Sequence, residues 1–445
     1  MSSRGKLGLG ELLATPYRRN VIILPLLAFT VNLGFGAVSA ILPYFLLYLV
    51  GALTELPEEI GLLGGAAHYA VEFGVLMALF MLTRAFLARF FGIYSDKAGR
   101  KKIIIAGVVL YALISFIYVI IPNLLWLYVV RALQGVASAM VWPVAEALLM
   151  DSVTPSTRGR AMGLYMAATT FSFIGGPALG VAIYKAGVYL LGIRDVGWAL
   201  RFPFLVIAVA GLVTIFISLL IKEAYHPHQM RRREEPARLT GVNKKSVDAL
   251  YAIGFANGVG MGLVAPFMLL YLVEFVTSDP AAIAYITLIS GIAGLLATYP
   301  AGYLSDRIGR RALIAWGILT SRTATLLIPF ARTVESLTAV ATLRSVSFNA
   351  YTPAFRALQA DLVPQQLRGR VFGTLQMYFN IGAVLGPLIG GPLYKMFAET
   401  SIGPLPGVAL SFLVSSILGY LALVLFLLYV KEPEREGSEL SPHPI

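Results

Sequence analysis

The stretch GIYSDKAGRKK, residues 92–102, recurs with variation as GYLSDRIGRRA at residues 302–312. Both copies place a glycine, a serine–aspartate pair and a glycine–arginine pair at the same positions, 210 residues apart. Each copy is a short charged segment between two long apolar runs. A charged phrase that occurs twice in this setting indicates that the chain has two related halves, and that the same turn joins two apolar segments in each half.

The composition is that of an integral membrane protein. Of the 445 residues, 58% are hydrophobic and 13% are charged, and the mean hydropathy is +0.78. A soluble domain carries about 25% charged residues. Apolar stretches of about 20 residues, the length of a membrane-spanning helix, recur along the whole chain. The sequence therefore predicts an all-α protein that crosses the lipid bilayer many times.

We predict twelve membrane-spanning helices. The first apolar stretch is too long for the core of a cleavable signal peptide and lacks a small-residue cleavage site, so we interpret it as the first span. A polar segment, residues 222–248, separates six spans from six. The predicted spans are about residues 21–49, 70–94, 102–121, 124–148, 161–185, 199–221, 247–275, 281–303, 311–330, 335–358, 370–396 and 406–430.

The positive charge indicates orientation rather than a nucleic-acid partner. With an even number of spans both termini lie on one side of the membrane, and cytoplasmic loops are enriched in Lys and Arg. If the N-terminus is cytoplasmic, the cytoplasmic segments contain 24 of the 35 Lys and Arg residues, the outer loops five and the spans six. This bias accounts for the net charge of +12. It predicts a multi-pass protein of the cell membrane with both termini in the cytoplasm.

The two halves align without a gap over most of their length. The offset of 210 residues also relates the sequence around Asp151 to that around Asp361. Near the start of each half, PYFLLYLV (43–50) resembles PFMLLYLV (266–273) at an offset of 223. The first half therefore has 13 extra residues, which we place in its first outer loop, residues 51–69.

The repeat predicts three parts of the chain. These are an N-terminal bundle of six helices (1–221), a cytoplasmic linker (222–246) and a C-terminal bundle of six helices (247–445). Corresponding spans run in the same direction across the membrane, so the repeat is parallel. Transporters built from parallel repeats bind their substrate near the bilayer midplane, between the repeats.

The repeated phrase resembles the loop signature of the major facilitator superfamily, which follows the second span and returns after the eighth. RALQGVASA (131–139) is similar to the family's signature in the fourth span. NLGFGAVSAILP (32–43) is similar to the first-span signature of the twelve-helix drug/proton antiporters. The resemblance covers essentially the whole chain. It implies the major facilitator fold, with two parallel pseudo-symmetric six-helix bundles, and secondary active transport by alternating access.

The resemblance assigns gating roles to the charged phrases. In the family the aspartate that matches Asp96 points to the start of span 11, where the helix dipole stabilises an anion by about 0.3–1 kcal/mol. Asp96 is therefore expected to latch the halves when the cytoplasmic side closes, with Asp306 as its counterpart; alternatively, Asp96 and Arg100 only close a short loop. Gly92 is expected to allow close helix packing and Gly99 a tight turn. The other predicted gating residues here are Asp151, Arg158, Gly302, Gly309, Arg310, Asp361 and Arg368.

Span 11 carries a glycine–proline series that is associated with antiporters and is incomplete in span 5. Gly382, Gly386 and Gly390 recur every four residues and therefore share one face of the helix. Such a face lets a neighbouring helix approach closely, while Pro387 removes a backbone donor and bends the helix. We predict a pliable gating seam at Gly382, Gly386 and Pro387, or else plain close packing.

Polar side chains inside the spans are the candidates for substrate binding and coupling. An arginine in mid-span costs about 2.5–3.5 kcal/mol, so it normally faces the protein interior or a water-filled cavity. In the family the arginine that matches Arg131 is linked to proton coupling; a buried hydrogen bond between helices is the alternative. Arg89 and Arg356 lie near cytoplasmic helix ends and are interpreted as structural. The predicted binding or coupling residues are Asn32, Arg84, Arg131, Gln134, Glu146, Asn257, Arg322, Arg344, Gln376 and Asn380.

The embedded charges favour an anionic or neutral substrate. Two acids, Glu72 and Glu146, are embedded in the spans, and both lie near helix ends. Several arginines without a central carboxylate disfavour a lipophilic cation as substrate. Either of these acids, or an exchanged anion, is a candidate for carrying the coupling charge.

The sequence predicts a secondary active transporter, in the first place a proton-coupled antiporter that exports a small organic anion or a neutral, drug-like amphiphile. An organic-anion uniporter or symporter is the alternative within transport, and a lipid flippase or a non-transporting sensor is the alternative of another class. Enzyme activity is not expected, since the four histidines lack metal-ligand spacing and no phosphate-binding loop occurs. We expect no cofactor and no metal, a small-molecule substrate and protons as partners, no nucleic acid, and a monomer.

Overall fold

Twelve long helices form the part of the protein that the structure describes. The computed structural model describes residues 15–154, 157–224, 244–363, 368–402 and 405–430, and it confirms the predicted all-α membrane fold. In chain order the long helices are α1 (Arg18–Leu49), α2 (Ala70–Ala98), α3 (Arg100–Ile120), α4 (Leu124–Asp151), α5 (Arg158–Lys185), α6 (Val196–Leu219), α7 (Lys244–Phe275), α8 (Pro280–Ile308), α9 (Arg310–Leu327), α10 (Val334–Asp361), α11 (Arg368–Met396) and α12 (Ala409–Tyr429).

Eleven helices in the described part of the chain are long and apolar enough to cross a membrane. The remaining long helix, α10, has 28 residues, which gives a length of about 42 Å at 1.5 Å per residue. It is more polar than the others, and side chains such as Arg344 and Asn349 line a cavity inside the protein. Polar and charged residues of a membrane helix normally face such an interior space, so the polarity of α10 agrees with its prediction as the tenth span.

The same helix pairs pack together in both halves of the chain. In the N-terminal half α1 packs on α5, α2 on α4 and α3 on α6; in the C-terminal half α7 packs on α11, α8 on α10 and α9 on α12. Glycines bring the first pair of each half close. A β-carbon added to Gly36 would lie 3.0 Å from the α-carbon of Gly176, and one added to Gly386 would lie 2.6 Å from that of Gly262. The duplicated sequence thus produces a duplicated packing pattern.

The glycine face of α11 lies on α7. A β-carbon added to Gly382 would be 2.7 Å from the backbone nitrogen of Val259, and one added to Gly386 would be 2.6 Å from the carbonyl oxygen of the same residue. Gly390 lies against the ring of Phe267. These glycines therefore permit close packing of α7 on α11, while a gating role for this face stays a prediction.

Each charged phrase contains a sharp turn of one residue. Gly99 alone separates α2 from α3, and Gly309 alone separates α8 from α9. Their φ angles are +96° and +87°. This region is accessible to glycine and strained for a residue with a β-carbon, so the tight turn expected at Gly99 is present and recurs in the second half.

Short elements complete the connections between helices. The first connection, residues 51–69, contains one turn of α-helix (Pro57–Ile60) and a 3-10 turn (Ala66–Tyr69). Two antiparallel strands, β1 (Ser401–Ile402) and β2 (Leu405–Pro406), join α11 to α12.

Most of the predicted linker, residues 225–243, lies outside the described part of the chain. Helix α7 is described from Lys244 onward, so the last three residues of the predicted linker, 244–246, are helical; the boundary between linker and bundle stays a prediction. Lys244 and Lys245 continue the helix beyond the apolar stretch, since Lys has a high helix propensity and its charge can remain in water.

Candidate functional site

A cavity of about 830 Å³, which we name the main cavity, lies within the C-terminal half. Every residue that lines it belongs to α7, α8, α9, α10 or α11. Sites for drug-sized ligands have volumes of about 300–1,000 Å³, so the main cavity is large enough for a small organic molecule. Its polar and charged lining residues are Asn257, Thr287, Ser290, Ser321, Arg322, Arg344, Ser345, Asn349, Tyr351, Thr352, Arg356, Gln359 and Gln376.

Of the described residues, three arginines and no acidic residue line the main cavity. Arg322 is buried, and its Nη2 donates a hydrogen bond to Oδ1 of Asn257 at 2.5 Å. Gly419 of α12 leaves the space that Arg322 occupies, because a β-carbon there would overlap the arginine side chain. Among the described residues no hydrogen bond or ion pair partner of the Arg344 side chain occurs. The protein thus fixes Arg322 in place and leaves the Arg344 guanidinium available to a ligand.

Four of the predicted binding residues, Asn257, Arg322, Arg344 and Gln376, line the main cavity. Nε2 of Gln376 donates to Oδ1 of Asn380, one helical turn away, at 2.9 Å. Asn380 does not line the cavity itself, but its contact orients the amide of Gln376. Substrate binding by these residues stays a prediction.

The main cavity also contains residues that the sequence analysis did not select. Arg356, interpreted there as a structural residue near a helix end, lines the wall together with Phe348, Tyr351 and Phe355. Phe348, Tyr351 and Phe355 share the face of α10 that carries Arg344, because steps of three and four residues follow one helix face. That spacing is the signal in the sequence that marks them.

A second cavity of about 390 Å³ connects the two halves. Helix α5 of the N-terminal half contributes Thr169, Thr170 and Phe173 to its lining. The residues it has in common with the main cavity are Thr287, Ser290, Ser345 and Asn349. The N-terminal half therefore borders the second cavity, which adjoins the main cavity, with two hydroxyl groups and an aromatic ring of α5.

Arg131 and Gln134 lie in a closed network inside the N-terminal half. Arg131 is 2% exposed, and its Nη1 donates to Oε1 of Gln134 at 2.6 Å. The hydroxyl of Tyr118 in α3 donates to the same oxygen at 3.2 Å. Nη2 of Arg131 is 3.3 Å from Sδ of Met77, and its guanidinium carbon is 4.9 Å from the ring centroid of Phe80. Neither residue lines either of the two cavities. The network joins α4 to α3 through Tyr118 and to α2 through Met77, and a role of Arg131 in coupling stays a prediction.

The remaining predicted residues of the N-terminal half also lie away from the two cavities. Arg84 of α2 is exposed, and it lies near the partly buried Glu146 of α4, with which it interacts electrostatically. Asn32 of α1 is partly buried. The structure thus brings Arg84 and Glu146 together but does not bring them to the arginines of the main cavity.

The two halves are tied together at the ends opposite the charged phrases. Nζ of Lys185, at the end of α5, is 3.1 Å from Oδ1 of Asp279, which precedes α8. The backbone N–H of Ala67 donates to Oε2 of Glu274 at 3.1 Å. Further contacts join Leu63 to Val273, Pro57 and Gly61 to Ser278, and His68 to Glu399. The first connection, with its 13 extra residues, is therefore docked on the C-terminal half.

At the ends that carry the charged phrases the halves are apart. β-Carbons added to Gly92 of α2, Gly163 of α5 or Gly373 of α11 would meet no described atom within 4 Å. At the opposite end, a β-carbon added to Gly391 of α11 would be 2.8 Å from the carbonyl oxygen of Ala70. A β-carbon at Gly92 would thus meet open space in this conformation, and close packing at Gly92 stays a prediction for a conformation in which this end is closed.

The charged phrases form ion pairs within each half. Nη2 of Arg100 is 3.3 Å from Oδ1 of Asp96, and Arg100 also pairs with Asp151. In the C-terminal half Arg310 pairs with Asp361. Asp96 is thus engaged in its own half here, and its contact with the start of α11 stays a prediction for a conformation in which this end is closed.

Two further predicted gating residues, Arg158 and Pro387, lie on α5 and α11. Arg158, at the start of α5, is exposed and interacts electrostatically with Asp151. Pro387 lies at the seam between the halves, where its carbonyl oxygen faces Gly74 of α2. The predicted gating roles of Gly302, Asp306 and Arg368 depend on surroundings that lie outside what the structure describes.

The helical architecture and the repeated charged phrases agree with the protein family whose sequence pattern this chain matches. The sequence matches the model of the Major Facilitator Superfamily over residues 24–247 and 250–444. The chain belongs to this superfamily. The resemblance seen in the sequence is thereby confirmed, and a member of the Major Facilitator Superfamily is a multi-pass membrane transporter of a small molecule.

Relatives and solved structures of the superfamily cover most of the chain. This chain is 23% identical over 401 residues to Quinolone resistance protein NorA of Staphylococcus aureus (strain MSSA476), and the aligned region covers 88% of this chain and 94% of that protein. It is 28% identical over 341 residues to Multidrug resistance protein 2 of Bacillus subtilis (strain 168), spanning 73% and 80%. The fold is similar to the inward-facing, occupied crystal structure of a bacterial homolog of the human lysosomal transporter Spinster, with a TM-score of 0.71, 17% identity, and coverage of 94% and 98%.

Proposed function

We propose that the protein is a secondary active transporter of the cell membrane that works by alternating access and exports a small organic molecule by antiport against protons. An anionic or a neutral, amphiphilic molecule is the proposed substrate class. Two relatives are named for resistance to quinolones and to multiple drugs, which supports export of a drug-like molecule. The bias of Lys and Arg supports the orientation, with both termini in the cytoplasm.

The observation that carries the proposal is that the halves touch at one end and separate at the other. Lys185 and Asp279 close the end opposite the charged phrases, whereas a β-carbon added to Gly92 or Gly373 at the charged end would meet no described atom within 4 Å. With the charged phrases in the cytoplasm, this is an inward-facing conformation. Rocking of the two bundles would close the cytoplasmic end and open the outer end around a cavity that stays inside.

The contacts at the outer end are of the strength that such a switch requires. Lys185 and Asp279 are about one third exposed, and partly exposed ion pairs contribute about 0.2–1 kcal/mol. Each hydrogen bond between the first connection and the C-terminal half adds about 0.5–1.5 kcal/mol. A few such contacts separate two conformations by a few kcal/mol, so binding of a substrate can shift the population.

Glu146 is the proposed site of proton exchange. It is partly buried in α4 and lies near Arg84 of α2. Protonation would remove the negative charge that attracts Arg84, and the loss of this attraction would change the position of α2, which also packs on α11. A proton can in this way influence a helix that forms the seam between the halves.

Transport by purified protein in liposomes tests the proposal. Flux of matched anionic, neutral and cationic aromatic probes is measured with and without a pH gradient, and liposomes without protein provide the background. We expect a protein-dependent flux that a proton gradient accelerates, and a Glu146→Gln variant that still exchanges substrate but no longer responds to the gradient. A flux that ignores the gradient in the unmodified protein would exclude proton antiport, and the absence of any protein-dependent flux would contradict transport of these classes.

A further inference from the structure

Among the described residues, no acidic group neutralises the positive charge of the main cavity. Arg322, Arg344 and Arg356 line it, and none of its lining residues is an aspartate or a glutamate. A buried charge is expensive unless it is paired, and charged side chains inside a membrane normally pair with one another or mark the path of a ligand. A bound anion would supply the missing negative charge.

Arg344 is the arginine that can bind this charge directly. Arg322 already donates to Asn257 at 2.5 Å and is held against Gly419, so its guanidinium is fixed and contributes mainly a positive field. Arg344 lines the same cavity without a hydrogen-bond or ion-pair partner among the described residues. A guanidinium presents donors in a planar fork that matches a carboxylate or a phosphate.

The wall next to Arg344 is aromatic. Phe348, Tyr351 and Phe355 follow Arg344 on one face of α10 and line the cavity. From Arg344 to Phe355 the helix rises by about 16 Å, so an acidic group at Arg344 would have an extended aromatic surface on one side. Arg356, one residue after Phe355, is exposed and places a further positive charge where the lining approaches the end of α10.

We propose that the main cavity is a binding site for an organic anion with a flat aromatic body, whose acidic group binds Arg344 in the field of Arg322 and whose rings lie against Phe348 and Tyr351. This proposal rests on the proposed function and narrows its substrate class from anionic or neutral to anionic. It also places the binding groups in the C-terminal half alone. The N-terminal half then acts as the moving cover, touching the site through Thr169 and Thr170 of the second cavity.

Binding to the full-length protein in detergent tests this site without any gradient or flux. The probes are 2-naphthoate, the uncharged 2-naphthamide and the cationic 2-naphthylmethylammonium, which have the same ring system and different charge. Isothermal titration calorimetry is expected to give an affinity for naphthoate about tenfold higher than for naphthamide, which corresponds to about 1.4 kcal/mol, and a still lower affinity for the cation. In Arg344→Gln naphthoate and naphthamide should bind equally, while Arg344→Lys should keep part of the preference.

Arg89→Gln is the matched control, because it removes an exposed arginine of α2 that is not part of the cavity; its preference for naphthoate should equal that of the unmodified protein. Equal affinity for the three probes, no saturable naphthoate binding, or an unchanged preference in Arg344→Gln would overturn the proposal. If naphthoate binds more tightly than naphthamide but no probe is transported in liposomes, the anion site stands and the proposed transport function is contradicted. If neutral or cationic probes are transported but naphthoate does not bind more tightly, the transport function stands and the anion site is contradicted.

Discussion

The two charged phrases have similar sequences but different surroundings, and their arginines should therefore differ in their contribution to stability. The Arg100 side chain is 4% exposed and contacts two carboxylates, Asp96 and Asp151, whose side chains are 40% and 25% exposed. The Arg310 side chain is 25% exposed and pairs with Asp361, which is 44% exposed. Replacing Arg100 by Gln leaves two partly buried carboxylates without their cation, whereas replacing Arg310 mainly disrupts a pair at the surface.

Removing one partner of a buried ion pair costs about 3–5 kcal/mol. Solvent reaches the carboxylates of Asp96 and Asp151, which pair with Arg100. We therefore expect Arg100→Gln to lower the free energy of unfolding by a smaller amount, about 2–3 kcal/mol, and Arg310→Gln to lower it by about 0.2–1 kcal/mol. Equilibrium unfolding by dodecyl sulfate, followed by tryptophan fluorescence of the purified protein, measures both losses, with Arg89→Gln as the control for removing a positive charge. A loss for Arg310→Gln that equals or exceeds the loss for Arg100→Gln would refute the reasoning.

Three further predictions concern the two ends of the molecule. Lys185→Ala removes the ion pair with Asp279, so the outward-facing population should rise roughly 1.5- to 5-fold. The rate at which a cysteine placed in the outer half of the cavity is labelled would measure this population. An unchanged labelling rate would argue against an outer gate. Gly386→Leu should reduce the yield of folded protein because α7 leaves no room for the side chain. Gly163→Leu should not, since a β-carbon added there would meet no described atom within 4 Å. Gel filtration compares the two variants, and equal yields would contradict the packing argument. Asp96→Asn should slow transport more than it weakens substrate binding, and an unchanged turnover rate would reject the latch.

Much of the fold could be predicted because membrane helices and internal repeats leave direct signals in a sequence. The length of each apolar run gives a span, and the charged phrases at 92–102 and 302–312 identify the two halves. The turn itself was also predictable, since the phrase has a glycine where the chain must reverse, and Gly99 adopts a φ of +96°. The apolar run of helix α10 gives the weakest of these signals, because the face of this helix toward the main cavity is polar.

The candidate site was less predictable, because helical spacing tells which residues share a face but not what covers that face. Arg131 and Arg344 both look like cavity residues in the sequence. In the structure Arg131 is enclosed by Gln134, Met77 and Phe80, whereas Arg344 opens into the main cavity. Arg356 is the opposite case, since its position near a helix end suggested contact with water and its place in the cavity wall depends on how α10 packs.

The outer closure could not be read from the sequence for a similar reason. The 13 extra residues of the first connection were visible as an insertion, but their docking site was not. Leu63 and Ala67 bind groups at the end of α7, about 200 residues later in the chain. The packing of α2 on α11 and the contact of the 3-10 turn with α7 bring these segments together.

The central claim, that the two halves alternate around an internal cavity, is tested most directly by distances between spin labels at both ends. The chain contains no cysteine, so labels can be placed only where they are wanted. Leu164→Cys with Leu304→Cys reports on the charged ends of α5 and α8, and Tyr189→Cys with Met396→Cys reports on the opposite end; all four side chains are exposed. Double electron–electron resonance in liposomes, with and without a transported probe, should show that the first distance shortens in the same population in which the second lengthens. Two distances that stay constant, or that change in the same direction, would contradict alternating access.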